Sequence, residues 1–223
     1  MLVDESLGLA QPDAVDDTGV VEGVGDALVM VDDSHATGIL GGSGRGSIEY
    51  CGLLGQVDVI TSTLGKAMGG GSGGFTTGRR EIIEILRQKS RPYLFSNTPA
   101  PVIAAAGIAA FDLIEKSGDL REKLMENTRY FRGEMTRLGF DIIEGIHPIV
   151  PVLLRRFADD ARLAQLMAAD LYEEGIYVVG FVFPVVPRNQ SRIRVQISAA
   201  HLSDEIDRAI AAFRKVGRKH GII

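Results

Sequence analysis

Lys66 stands where a β-branched run gives out into glycine, in "VDVITSTLGKAMGGGSGG" (Val57–Gly74). A lysine held in a partly dry pocket loses its charge more readily, because burial disfavours the ammonium, and becomes an amine nucleophile toward an aldehyde. The hydroxyls of Thr61, Ser62 and Thr63 and the bare N–H groups of the nearby glycines suit a phosphate. A flexible loop with a solvated lysine accounts for the same residues, and no P-loop spacing is present. Upstream, "ALVMVDDSH" (Ala27–His35) is an apolar run broken abruptly by acids. Acids in that position usually mark only the start of a loop. In open parallel α/β sheets, however, ligands sit beyond the carboxyl ends of strands. Asp32 there can pair with a protonated ring nitrogen, and His35, three residues on, can add a hydrogen bond. Far downstream, "RIRVQIS" places Arg194 and Arg192 on the strand face opposite Ile193 and Val195. An arginine on a strand is commonly an edge residue with a solvated head. Turned inward it requires an anion, and a carboxylate matches its fork. A carboxylate for a pyridinium, hydroxyls for a phosphate, a lysine for an aldehyde and an arginine for an amino-acid carboxylate together meet the requirements of pyridoxal phosphate.

These residues need elements to hold them. The run ending at His35 reads as a buried parallel strand. "ATGILGGSGRGSIEYCGL" reads as a glycine-rich loop with a short helix near Glu49. "VDVITST" is a second strand and "GGFTTG" (Gly73–Gly78) a third. A helix from about Arg79 to Arg91 sets Ile82, Ile83, Ile85 and Leu86 to one side. "RPYLFSNTPAP" reads as a loop punctuated by prolines, and "VIAAAGIAAFDLIEK" as an alanine-rich buried helix closed by Gly118. Beyond it come a long amphipathic helix from Asp119 to Leu138 and a strand in "HPIVPVLLRR". A helix from Asp159 to Glu174 follows, stopped by Gly175. Strands in "IYVVGFVFPVV" and "SRIRVQISAA" and a last helix from Ser203 to about His220 complete the chain. The expected class is α/β. Residues 1–26 are an irregular lead-in, 27–118 part of a mostly parallel sheet with helices, and 119–223 a small α/β domain.

With 223 residues and 45% apolar content, the chain can bury a sizeable core. A net charge of -5 without a basic stripe gives no nucleic-acid footprint. A single cysteine, Cys51, excludes an internal disulfide and a zinc cluster, which points to a reducing, cytoplasmic setting. No apolar run reaches the roughly 18 residues of a membrane span, and the N-terminus lacks the pattern of a signal peptide.

"VMVDDSHATGILGGSGRGSIEY", "ITSTLGKAMGGGSGG", "SRPYLFSNTPAP", "GFVFPVVP" and "IRVQISAAH" resemble the α-oxoamine synthase family of fold-type-I pyridoxal-phosphate enzymes. The resemblance runs from about Asp26 to the C-terminus. It implies that Lys66 condenses with the cofactor aldehyde and moves protons at the substrate Cα. It implies further that Asp32 keeps the pyridine nitrogen protonated and that His35 hydrogen-bonds the ring 3-oxygen. Thr63 matches a phosphate ligand. Ser96 and Asn97 match residues that reach the phosphate of a neighbouring subunit, so the resemblance implies a homodimer. Ser34 is placed among the residues at the cofactor, with Asp33 beside it in a supporting position. Arg194 matches the arginine that holds the substrate carboxylate. The implied reaction is the condensation of glycine with acetyl-CoA, run in reverse in threonine breakdown. "RPYLFSN" and "GFVFPVVP" favour it over synthases with longer acyl thioesters, such as 8-amino-7-oxononanoate synthase.

The family's N-terminal part, with its early strands and the histidine that stacks on the cofactor ring, has no counterpart here, and no histidine precedes His35. The expectation is a truncated chain with little activity alone, or a non-catalytic partner for a longer subunit.

Overall fold

The computed structural model describes residues 27–69 and 71–223. The lead-in expected over 1–26 lies outside them. The chain divides into two compact units at Gly118.

The first unit is built on a three-stranded sheet of order β1 (Met30–Asp32), β2 (Val59–Thr63), β3 (Gly74–Gly78). β1 and β2 are parallel, with Met30, Val31 and Asp32 opposite Val59, Ile60 and Thr61. β3 returns antiparallel to β2, so the sheet is mixed where the sequence points to a mostly parallel one. β1 is shorter than the run Ala27–His35. The Asp32 carboxylate takes the Ser34 N–H at 3.0 Å and turns the chain out of the ladder. Between β1 and β2 lies the glycine-rich loop with the four-residue α1 (Ser47–Tyr50), where a short helix is expected.

α2 (Arg80–Lys89) follows β3. "RPYLF", read from sequence as loop, forms the short α3 (Arg91–Phe95). Its proline stands in the first turn, where the missing N–H has no intrahelical partner to lose, so Pro92 is compatible with the helix. α4 (Pro101–Lys116) corrects a second expectation, since Gly107 is its one buried residue. One stripe at helical spacing touches the unit. Gly107 lies against Leu64, Phe111 meets Phe75 edge-on at 5.6 Å, and Ile114 approaches Gly38. Off this stripe, apolar side chains face outward, Val102 at 71%, Ile108 at 67% and Leu113 at 64% exposure. The high alanine and isoleucine content of the helix predicts burial all round, but a sheet of three short strands covers only one side of it.

The second unit has a sheet of order β4 (Ile149–Leu153), β6 (Arg192–Gln196), β5 (Val179–Phe181), antiparallel throughout. Pro151 sits in the outer strand β4, the place a sheet tolerates a residue without an N–H. Val150, Val152, Ile193 and Val195 turn to one face. That face shares a core with α5 (Gly118–Leu138), α6 (Asp160–Glu173) and α7 (Ser203–Lys219). Phe213 is its centre, meeting Phe131 and Phe140 edge-to-face at 6.0 and 5.9 Å. Among the described residues no helix is long and apolar enough to cross a membrane, and no cluster of His, Cys, Asp and Glu could hold a metal ion.

Candidate active site

In a parallel pair, residues in register point to the same face, and the face alternates along each strand. Asp32 is in register with Thr61. Asp32, Thr61 and Thr63 therefore share one face at the C-terminal edge of the β1–β2 pair, and Asp33 and Ser62 share the other. Burial agrees with this alternation: Asp32 is exposed, whereas Asp33 is 1% and Ser62 7% exposed. Leu64 is buried and returns the chain into the unit. Lys66 follows in the next turn, exposed, its carbonyl taking the Gly69 N–H at 3.0 Å. Its ammonium has no ion-pair partner among the described residues. The structure thus brings Asp32, Thr63 and Lys66 to one edge of the sheet.

Two carboxylates, Asp32 and Glu49, fix the loops around this edge. Asp32 Oδ1 accepts both the N–H and the hydroxyl of Ser34. Ser34 is thereby committed to orienting Asp32. Thr63 Oγ1 is engaged by its own loop, accepting the Gly65 N–H at 3.1 Å and donating to the Gly73 carbonyl at 3.2 Å. His35 is half-buried in the turn after Asp33. Glu49, whose residue type carries no expected role at this edge, gathers the glycine-rich loop. Its carboxylate accepts the N–H and hydroxyl of Ser43 at 3.0 and 2.8 Å and the Arg45 N–H at 2.9 Å. Burial pushes Glu49 up, but those donors and the Arg45 charge outweigh it and hold the carboxyl below the ordinary glutamate range. A glycine-rich loop closed by a glutamate six residues on is the signal that a reading by composition overlooks.

Ser96 and Asn97 are exposed on the segment between α3 and α4, and their side chains make no hydrogen bond among the described residues. They are not gathered with Asp32 and Lys66 by any contact within the chain.

In the second unit Arg194 is half-buried on β6, flanked in register by Pro151 and Val179. Its guanidinium lies 5.5 Å from the centre of the Phe181 ring. Burial pushes it down from the usual arginine range. Among the described residues no carboxylate lies within ion-pair distance of it. A partly desolvated cation with an aromatic face beside it has donors to offer an anion.

The family model for aminotransferase class I and II matches residues 21–213. The chain is 54% identical over 198 residues to 2-amino-3-ketobutyrate coenzyme A ligase of Escherichia coli (strain K12), a match covering 89% of this chain and 49% of the relative. It is 43% identical to 8-amino-7-oxononanoate synthase of Thermosipho melanesiensis, over 88% of this chain and 49% of that one. Among solved structures, serine palmitoyltransferase from S. paucimobilis with bound PLP–myriocin superimposes with a TM-score of 0.83 at 28% identity, covering 94% of this chain and 55% of that one. The chain spans about half the length of the curated relatives it matches.

Proposed function

The chain belongs to the aminotransferase class I and II family, and on that premise we propose that it supplies the lysine-bearing part of a pyridoxal-phosphate acyltransferase. The substrates are glycine and acetyl-CoA, and the products 2-amino-3-oxobutyrate and free coenzyme A. Identity to 2-amino-3-ketobutyrate coenzyme A ligase supports this substrate pair. One observation carries the reading: Asp32 and Thr63 share a face at the C-terminal edge of a parallel strand pair, with Lys66 in the turn that follows.

The donor set fits the cofactor, since it contains an amine without an ion-pair partner, a carboxylate and a hydroxyl on one sheet edge. Pyridoxal phosphate, when bound, supplies an aldehyde and an electron-withdrawing ring that stabilises negative charge at the substrate Cα. Lys66 Nζ would hold the aldehyde carbon of the bound cofactor and, once the glycine amine has displaced it there, would be free to act as the base for the proton at glycine Cα. Asp32 keeps a proton on the ring nitrogen, and the two hydrogen bonds from Ser34 fix the carboxylate for that task. His35 supports the ring oxygen. Thr63 serves the phosphate by turning its hydroxyl from the Gly73 carbonyl to a phosphate oxygen, together with bare glycine N–H groups. Arg194 takes the glycine carboxylate in its fork. Ser96 and Asn97, open to solvent, serve the phosphate of a second subunit, which makes the working enzyme a homodimer. The setting is cytoplasmic and the reaction belongs to threonine catabolism.

The test mixes the purified chain with pyridoxal phosphate. A visible absorbance band is expected, fixed by borohydride as a secondary amine that peptide mass places on Lys66, and Lys66→Ala abolishes it. Glycine with acetyl-CoA should then release free thiol. Preference for a longer acyl thioester would move the reading to the 8-amino-7-oxononanoate synthase type. Thiol release only after mixing with a full-length relative would make the chain a partner subunit, which the exposure of Ser96 and Asn97 favours. A folded chain that shows no band and adds nothing to a full-length relative would overturn the proposal.

A further inference from the structure

Two aspartates stand side by side at the end of β1, and they differ sharply in environment. Asp32 is exposed; Asp33 is 1% exposed and carries a full set of partners. Asp33 Oδ1 accepts the Ser47 N–H at 3.0 Å and the Ser47 hydroxyl. Its Oδ2 accepts the Thr37 hydroxyl at 2.9 Å, and Thr37 in turn accepts a hydrogen bond from Ser62 at 2.7 Å. The backbone of Asp33 is equally committed. Its N–H donates to the Thr61 carbonyl at 2.8 Å, and its carbonyl accepts the N–H groups of Ala36 and Thr37 at 3.0 and 2.9 Å. A Cβ added at Gly46 would overlap Asp33 Oδ2, so the loop passes this carboxylate only as glycine.

We propose that Asp33 is the positioning residue that turns Asp32 toward the cofactor and holds His35 in the turn beside it. The inference rests on the reading of Asp32 and His35 given above. Side chains alternate along a strand, so burial of Asp33 between α1 and β2 puts Asp32 on the opposite, open face. A slip of one residue would exchange the two carboxylates. The donors on Ser47 and Thr37 select the phase, because they leave no orphan only when Asp33 faces them. The turn closed on the Asp33 carbonyl contains His35, so the same hub sets both groups.

Carbodiimide labelling of carboxylates, read by tandem mass spectrometry on the full chain without cofactor, tests this directly. In the wild type Asp32 is expected to label and Asp33 to be protected. In the double variant Thr37→Val with Ser47→Ala, which keeps both aspartates, the Asp32-to-Asp33 labelling ratio should fall by about tenfold. Exchange of the two faces lowers the Asp32 label as the Asp33 label rises, whereas general destabilisation raises the Asp33 label and leaves Asp32 labelled, an outcome that overturns the proposal. A double variant that keeps its circular dichroism and an unchanged ratio overturns the proposal; if it fails to fold, Ser47→Ala alone carries the same comparison. A second arm uses the pyridoxal-phosphate band. Asp33→Ala should weaken or shift it, and Asp33→Asn, whose amide can still accept from Ser47 and donate to Thr37, should restore it. If Asp33→Asn folds and is as impaired as Asp33→Ala, charge rather than placement is the cause and the proposal fails. A wild type without any band would sink the cofactor reading and leave the labelling arm to decide the alternation.

Discussion

At the scale of single residues, burial separates groups that the sequence places side by side. "DDSH" shows two acids and a histidine, but only the register of β1 on β2 reveals which acid faces outward. Asp32, Lys66 and Arg194 stand out in the sequence as candidates because each is an unusual residue for its place: an acid at a strand end, a lysine at a glycine run, an arginine inside a strand. Ser47, Thr37 and Glu49 do not, since hydroxyls and a glutamate in a polar loop have nothing unusual about them until the loop folds back. On the proposed role of Arg194 at the substrate carboxylate, Arg194→Lys is expected to raise the KM for glycine by about tenfold or more, because an ammonium cannot offer two parallel N–H donors. Steady-state kinetics with acetyl-CoA saturating checks this. Glu49 predicts an acid response. Its folded pKa is depressed, so its contribution is complete above the ordinary glutamate value and is lost as pH falls through the lowered folded one. Amide exchange at Ser43 and Arg45 should speed up over that acid window relative to neighbouring loop amides, and Glu49→Gln should remove the dependence.

At the scale of elements, the helix and strand pattern was largely readable from periodicity, and the misses have separate causes. α3 reads as a loop from sequence because proline counts as a breaker, but its place in the first turn makes it harmless. α4 reads as buried because its composition is largely apolar; composition reports what a helix would bury, and packing decides what is available to bury it. Gly107 is where α4 meets Leu64, at an ordinary contact distance for a Cβ. Gly107→Val adds bulk beyond that Cβ and should cost about 1–3 kcal/mol, measured by denaturant unfolding. Ile108→Lys, on the outward side, should instead leave stability unchanged within about 0.5 kcal/mol and lower the chain's tendency to aggregate, measured by light scattering.

At the scale of the whole molecule, the two units differ in how completely they are enclosed. The second has three helices on one face of its sheet and a core that converges on Phe213. Phe213→Ala should therefore cost about 3–5 kcal/mol, seen as a lower denaturation midpoint for probes within residues 119–223. The first unit leaves much of α4 and the β1 segment uncovered, with Leu28 60% and Met30 41% exposed. Pro151 gives the second sheet a direction. Its ring removes a donor from the outer side of β4, and Asp141 and Ile142 already occupy part of that margin. A foreign extended segment seeking to lengthen this sheet would meet a blocked flank at β4 and find its berth along Val179–Phe181, so any accretion would be one-sided, on the margin away from the proline.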